Sequence, residues 1–285
     1  MSWSLRVDAN GPLDTAAIFS TLASHEIAGL TETRPDRLTH RRVLEFEGRP
    51  VILTVWFDGS GVTIEGETGD GPWPGVEPLV RHWFDLDTDI EAVDRHLGVH
   101  PQFKDQVRAR PGIRVTRYPE LAESAILTVL GQQISLAAAR TFAGRLVAAY
   151  GEEVDGLFAF PDPARIAEEP VERLRSTIGL TGARARTISG VATLFADRRP
   201  AAGSGSDSGL LEGLNEIPGI GPWTISCVAL RGLDSADELP ASDAVLRRAL
   251  GKASLAETLE IAEAWRPFRS YATVRLWAES VPLAG

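Results

Sequence analysis

One carboxylate draws attention by its position. Asp243 follows Leu239-Pro240-Ala241-Ser242 and precedes Ala244-Val245-Leu246-Arg247-Arg248-Ala249-Leu250, a run with helical spacing. An aspartate there can cap the helix, as Ser242 equally could, because the first backbone N–H groups of a helix have no partner inside it. It can also stand beside a carbon on which positive charge develops as a leaving group departs, the task a carboxylate performs in glycoside hydrolysis. On spacing alone, capping is the stronger reading. A second chemical feature lies upstream. Leu214-Asn215-Glu216-Ile217-Pro218-Gly219-Ile220-Gly221-Pro222-Trp223-Thr224 joins two helical patterns through glycines that bracket one apolar residue. Pro218 stops the first helix, the glycines permit backbone angles and close approaches that a Cβ forbids, and the second helix opens with unpaired N–H groups. Those donors, at Gly219, Gly221 and Thr224, suit a phosphate. An ordinary turn between packed helices would use the same residues.

The order of motifs along the chain separates these readings. Ala125-Ile126-Leu127-Thr128-Val129-Leu130-Gly131-Gln132-Gln133-Ile134-Ser135 precedes the hairpin, Ile225-Ser226-Cys227-Val228-Ala229-Leu230-Arg231-Gly232-Leu233 follows it, and Trp265-Arg266-Pro267-Phe268-Arg269-Ser270-Tyr271 runs on to Trp277 after Asp243. This order resembles the helix-hairpin-helix DNA glycosylase superfamily, and within it the bacterial alkylated-base, 3-methyladenine DNA glycosylase II type. The likeness is strong from about Gly112 to the C-terminus and weak over the first hundred residues.

The resemblance implies base flipping from double-stranded DNA, followed by hydrolysis of the N-glycosidic bond of an alkylated base. It places Asp243 beside the flipped nucleotide as the catalytic carboxylate. Relatives that also cut the DNA backbone carry a Schiff-base lysine at the position of Trp223, and a tryptophan cannot do that chemistry. A monofunctional hydrolase is therefore implied. Trp223 and Trp277 would offer aromatic faces to the extruded base, where a cationic alkylpurine gains cation–π attraction. Cys227 falls where a relative has a tyrosine, which implies a wider or less aromatic pocket on that side. Tyr271 is assigned to the same pocket, with core packing as its other reading, shared with Trp265 and Phe268. Phe19 is the candidate for an aromatic side chain that a relative contributes from its N-terminal domain. Gln133 stands where the family inserts a side chain into the gap left by the flipped nucleotide. Read alone, Gln132-Gln133 would be a helical pair that is solvated or bonded to loop backbone. The carbonyls of Asn215, Ile217 and Ile220 would hold a monovalent cation. Some relatives hold an iron–sulfur cluster with four cysteines, and Cys227 is the only cysteine here, so no cluster and no other cofactor is expected. Three other readings stand beside this one: a glycosylase for oxidised or mismatched bases, a non-catalytic hairpin module, and, last, a structural scaffold. The missing lysine speaks against the oxidised-base lyases, and a carboxylate near DNA phosphates repels them without benefit to a pure binding module.

The elements that must position these residues follow from composition and periodicity. The chain has 285 residues, 44% apolar and 24% charged, ordinary for a globular protein of about two domains. No apolar run approaches the roughly 18 residues of a membrane span and no basic-then-apolar leader opens the chain, so a cytoplasmic monomer is expected. The net charge of −10 looks unsuited to DNA, but residues 1–100 hold 8 Arg/Lys against 17 Asp/Glu. The remainder, which carries the hairpin, stands at −1, and phosphate affinity is set by local charge. His25, His40, His82, His96 and His100 lack a zinc-site spacing and read as surface or structural residues.

Trp3–Val7, Val43–Glu47 and Val51–Trp56 alternate as strands, with Gly48-Arg49-Pro50 and Asp58-Gly59-Ser60-Gly61 as turns. Helices are expected over Asp14–Ala28, from about Pro74 to Phe84, and from the Asp87–Asp89 caps to Leu97. From Tyr118 onward the pattern is almost wholly helical, and Ala201–Gly209 is a flexible loop by composition. The expected fold is mainly α with an N-terminal α+β domain, helices on one face of its antiparallel sheet, and a glycosylase core of two helical subdomains. The boundaries are 1–88 for the α+β domain and 113–230 for the bundle ending in the hairpin. Residues 89–112 with 231–285 form the second subdomain, which carries Asp243.

Overall fold

The computed structural model describes residues 2–66, 71–197 and 208–280. Strands β1 (Trp3–Asp8), β2 (Thr31–Arg34), β3 (Thr39–Phe46), β4 (Arg49–Asp58) and β5 (Gly61–Gly66) form one antiparallel sheet in the order β1-β5-β4-β3-β2. Alternation assigns the faces. Leu53, Val55 and Phe57 of β4 and Ile64 of β5 close a core with Ile18, Phe19 and Leu22 of helix α1 (Thr15–Ser24) and Leu79, Val80 and Trp83 of helix α2 (Val76–Trp83). Ile52 of β4 and Val43 of β3 occupy the other face and meet Leu157.

Three expectations change in this domain. The β3–β4 turn is Glu47-Gly48, with φ of 52° and 74°, the left-handed pair that two-residue hairpins require. Arg49 and Pro50 already belong to β4. Strand β2, Thr31-Glu32-Thr33-Arg34, has no apolar alternation and exists through its pairing with β3. Helix α1 starts at its Asp14 cap, which accepts from the Ala17 N–H at 2.8 Å, but ends at Ser24 rather than Ala28. The chain turns there because Ile27 and Leu30 are buried in the neighbouring helical core.

The helical part begins with α3 (Ile90–Leu97) and α4 (Lys104–Ala109), followed by α5 (Leu121–Gly131), α6 (Leu136–Tyr150), α7 (Pro163–Ala167), α8 (Val171–Ile178) and α9 (Gly182–Asp197). After the undescribed residues come α10 (Ser208–Asn215), α11 (Pro222–Gly232), α12 (Ala244–Ala249), α13 (Leu255–Glu263) and α14 (Arg269–Ser280). Of the expected loop over Ala201–Gly209, residues 201–207 lie outside the described residues, while Ser208 and Gly209 already open α10. A small hairpin, β6 (Glu153–Val154) with β7 (Leu157–Phe158), interrupts the helical pattern after Tyr150. Helix α5 is apolar nearly all round and accordingly buried, with α6, α9 and α11 packed against it. A further core joins Ile90, Val93, Leu97, Phe103 and Val115 to Leu246, Trp265, Tyr271 and Leu276, so that chain distant in sequence closes one unit.

Arginines lock the sheet domain to the helices. Arg42 of β3 pairs with Glu123 of α5 at 2.7 Å, both about 3% exposed, and Arg117 pairs with Asp85 at 3.0 Å. Losing one partner of such a buried pair strands the other charge. Among the described residues no helix is long and apolar enough to cross a membrane.

Candidate functional site

Asp243 is the N-cap of α12, and its carboxylate is also the meeting point of two distant indoles. Oδ1 accepts from the Val245 and Leu246 N–H groups at 3.0 and 2.9 Å and from Trp277 Nε1 at 3.0 Å. Oδ2 accepts from Trp223 Nε1 at 3.2 Å. Capping and site-lining therefore coincide in one residue. The cap fixes the side chain's rotamer, and the tryptophans of α11 and α14 fix it from two further sides.

These groups line a cavity of about 350 Å³ between the sheet domain and the two helical units, within the range of small-molecule sites. Helix α11 presents Trp223, Cys227 and Arg231 to it at four-residue intervals, one stripe of a helix. Helix α14 adds Val274, Trp277 and Ala278, α1 adds Thr21 and Ser24, and His25 follows at the C-cap of α1. The Arg231 guanidinium lies over the Trp277 ring, 5.2 Å from its centroid, a cation–π contact that occupies one face of that indole. Burial, reinforced by nearby Asp243, pushes the Cys227 thiol well above its ordinary range, so it packs as a small neutral hydrophobe. Burial, followed by the Arg231 charge, pushes the His25 imidazole down to about 3.

The hairpin between α10 and α11 sits beside the cavity. Gly219 has φ of +95°, and a Cβ there would lie 2.5 Å from Thr187 Oγ1, so only glycine fits. Gly221 departs from expectation. Its φ of −127° and ψ of 177° are extended, and a Cβ would meet nothing within 4 Å. What glycine provides at that position is open space above the first turn of α11, where Pro222 takes N1. Thr224 is buried and its hydroxyl accepts from Gln132 Nε2 at 2.9 Å, while the same nitrogen donates to the Gly219 carbonyl at 2.9 Å. Gln132 and Gln133 lie outside helix α5, which ends at Gly131, rather than inside it as expected. Gln133 is exposed at φ +56° in the tight turn to α6, flanked by Gly131 and Ile134 of the cavity wall. The carbonyls of Asn215, Ile217 and Ile220 lie in the hairpin turn, where Ile217 O already accepts from the Ile220 N–H at 3.0 Å, leaving it one lone pair for a cation. Among the described residues no group of His, Cys, Asp and Glu could hold a metal ion.

Asp243, Trp223, Trp277 and Cys227 thus converge on one cavity, with Gln133 and the hairpin at its side. Tyr271 is not with them. It is 2% exposed, bonded through its hydroxyl to Thr88 Oγ1 at 2.8 Å, and it lines a separate depression with Asp85 and Arg117. Its place on α14 explains this: six residues before Trp277, it lies about 9 Å back along the helix axis. Phe19 is buried in the sheet core against Phe57, with rings 5.1 Å apart. Sequence reading missed three residues that matter here. Arg231 was detectable as the next step of the Trp223–Cys227 stripe. Tyr118 lines the cavity with Cys227, so that side is more aromatic than the cysteine alone suggested, but it stands in a connecting segment without periodicity. His25 becomes visible only once the segments it touches are folded together, whereas Gln132, which donates to the Gly219 carbonyl, meets the expectation of a bond to loop backbone.

The chain is similar to known proteins over most of its length. The AlkA N-terminal domain model matches residues 4–119, and the model for HhH-GPD superfamily base excision DNA repair proteins matches residues 126–266. The chain is 35% identical over 286 residues to the probable bifunctional transcriptional activator/DNA repair enzyme AlkA of Mycobacterium tuberculosis, covering 96% of this chain and 56% of that protein. It therefore spans little more than half the length of that relative. It is 32% identical over 221 residues to the DNA-3-methyladenine glycosylase of Bacillus subtilis, covering 71% of each. The solved 3-methyladenine DNA-glycosylase of Archaeoglobus fulgidus superposes with a TM-score of 0.80 at 21% identity, over 96% of this chain and 97% of the other, a likeness of fold.

Proposed function

The chain belongs to the HhH-GPD superfamily of base excision DNA repair proteins, and from that membership we propose that it is a monofunctional DNA glycosylase. Its substrate is double-stranded DNA carrying alkylated purines of the 3-methyladenine and N7-methylpurine type, on which it acts as a cytoplasmic monomer. Backbone N–H groups at Gly219, Gly221 and Thr224 hold phosphate. Gln133, projecting from its turn, fills the gap left as the damaged nucleotide swings into the cavity. A monovalent cation on the hairpin carbonyls would offset phosphate charge there.

The bond from C1′ to the base nitrogen then breaks, with its electron pair leaving on the base. For a cationic alkylpurine this neutralises the leaving group, so the barrier lies mainly in the oxocarbenium ion forming on the sugar. Asp243 stabilises that ion through Oδ2, which among the described residues accepts only the Trp223 bond, while Oδ1 is held by three donors. Water adds to C1′ and gives up its proton to solvent, leaving a neutral abasic site. The chain's two lysines, Lys104 and Lys252, do not line the cavity, which supports hydrolysis over Schiff-base strand cutting.

The observation that carries this reading is Asp243 at the cavity wall, pinned by two indoles that also line the cavity. Its test is single-turnover release of 3-methyladenine from methylated duplex DNA. Release by the wild type and near-normal rates in Asp243→Asn would refute the catalytic role. Duplex binding without release from any alkylated substrate would favour a binding module.

A further inference from the structure

Helix α1 holds Ile18, Phe19 and Leu22 in the sheet core, yet turns Thr21, Ser24 and His25 toward the cavity that Asp243 lines. His25 Nδ1 lies 2.9 Å from the Thr21 carbonyl and 3.0 Å from Ser24 Oγ, and that hydroxyl donates its own proton to the same carbonyl at 3.0 Å. A carbonyl has no proton to give and the Ser24 hydroxyl has already used its one. The proton in these contacts therefore sits on Nδ1. A neutral imidazole carries a single N–H, so Nε2 is left as a lone-pair acceptor. Neutrality is secured by burial and by the Arg231 charge, which hold the ring down at about 3. Nε2 bonds no described residue, nor is it sealed from solvent.

We propose that His25 makes the cavity select damaged purines with an exocyclic 6-amino group over those with a 6-oxo group, by accepting a hydrogen bond at Nε2. The inference rests on the glycosylase reading above and adds a base preference to it. A 6-amino group brings a donor to the imidazole lone pair. A 6-oxo group would set one lone pair against another and leave the imidazole without a donor. The cavity walls from α11 and α14 supply stacking, and the cap of α12 supplies the carboxylate. The sheet domain, through α1, supplies the edge that distinguishes one purine from another.

The test compares 3-methyladenine with N7-methylguanine in otherwise identical duplexes, by single-turnover release. It also measures affinity for uncleavable duplexes in which a 2′-fluoroarabino sugar carries 6-amino or 6-oxo purines. His25→Leu is expected to lower the 6-amino to 6-oxo ratio about tenfold, the order of one net hydrogen bond plus its repulsive counterpart. His25→Gln, whose Oε1 can accept, should restore part of it and serves as the better folded control. A His25→Leu ratio equal to that of the wild type, whether both rates hold or fall together, overturns the assignment. A wild type that cleaves neither lesion but prefers the 6-amino base in uncleavable duplexes, with that preference lost in His25→Leu, supports it and overturns the glycosylase reading instead.

Discussion

At the scale of single residues, Asp243 answers to two demands at once, and substitutions can separate them. Asparagine keeps an oxygen for the Val245 and Leu246 N–H groups and remains a good cap. Asp243→Asn is therefore expected to fold with a Tm near that of the wild type while its single-turnover rate falls by about two to three orders of magnitude, the scale of losing one electrostatic contact to a transition state. The indoles allow a finer cut. Trp277 donates Nε1 to Asp243 and carries Arg231 on one face. Trp277→Phe keeps an aromatic face but loses the N–H, so a role in aiming the carboxylate predicts a drop of roughly tenfold, with Trp277→Ala lower still. If phenylalanine matched tryptophan in single-turnover release, the hydrogen bond would be without consequence and stacking would remain as the role of the ring.

At the scale of elements, the two hairpin glycines resemble each other in sequence and differ in structure. Gly219→Val places a β-branched residue at φ +95° with its Cβ 2.5 Å from Thr187 Oγ1, so a loss of about 2 kcal/mol or more in stability is expected. Gly221→Val meets extended backbone and open space. It should melt like the wild type and yet bind every duplex sequence more weakly, because its side chain intrudes where phosphate would approach the helix end. Thermal melts beside binding curves on damaged and undamaged DNA check both, and unchanged duplex affinity in the folded Gly221→Val protein would remove the phosphate role from this turn. The hairpin was legible in sequence because proline and glycine report backbone geometry directly. Asp14, Asp89 and Asp243 were legible as caps for the same local reason. Gln132 was legible as a residue that bonds loop backbone, but its partners were not, because its two hydrogen bonds reach residues 87 and 92 positions away. Tyr271 was misplaced because helical order gives the face of a residue but not how far along the axis the cavity extends.

At the scale of the whole molecule, the sheet domain was legible as strands and helices, but nothing in its sequence says that the polar side of α1 meets a second domain rather than water. That contact leaves neutral histidines near the seam, His40 buried and His25 half-buried on the cavity wall, and they predict how stability responds to acid. His40 is 2% exposed, with Nδ1 3.1 Å from Thr33 Oγ1, and burial followed by the Arg42 charge lowers it to about 3, as burial and Arg231 do for His25. In the unfolded chain an imidazole takes up its proton near pH 6.5. Between pH 6.5 and 3 the unfolded state therefore binds more protons than the folded one, and stability falls as pH falls through that window, being fully present above it. At pH 5 the buried His40 accounts for about 2 kcal/mol of the loss. The wild-type Tm is thus expected to drop by several degrees between pH 7 and pH 5, a range in which most carboxylates are still ionised. His40→Gln should flatten that drop even where its Tm at pH 7 is lower, since a glutamine has no proton to gain. Equal slopes for the two proteins would mean that His40 is protonated in the folded state and that the Arg42–Glu123 seam beside it admits water.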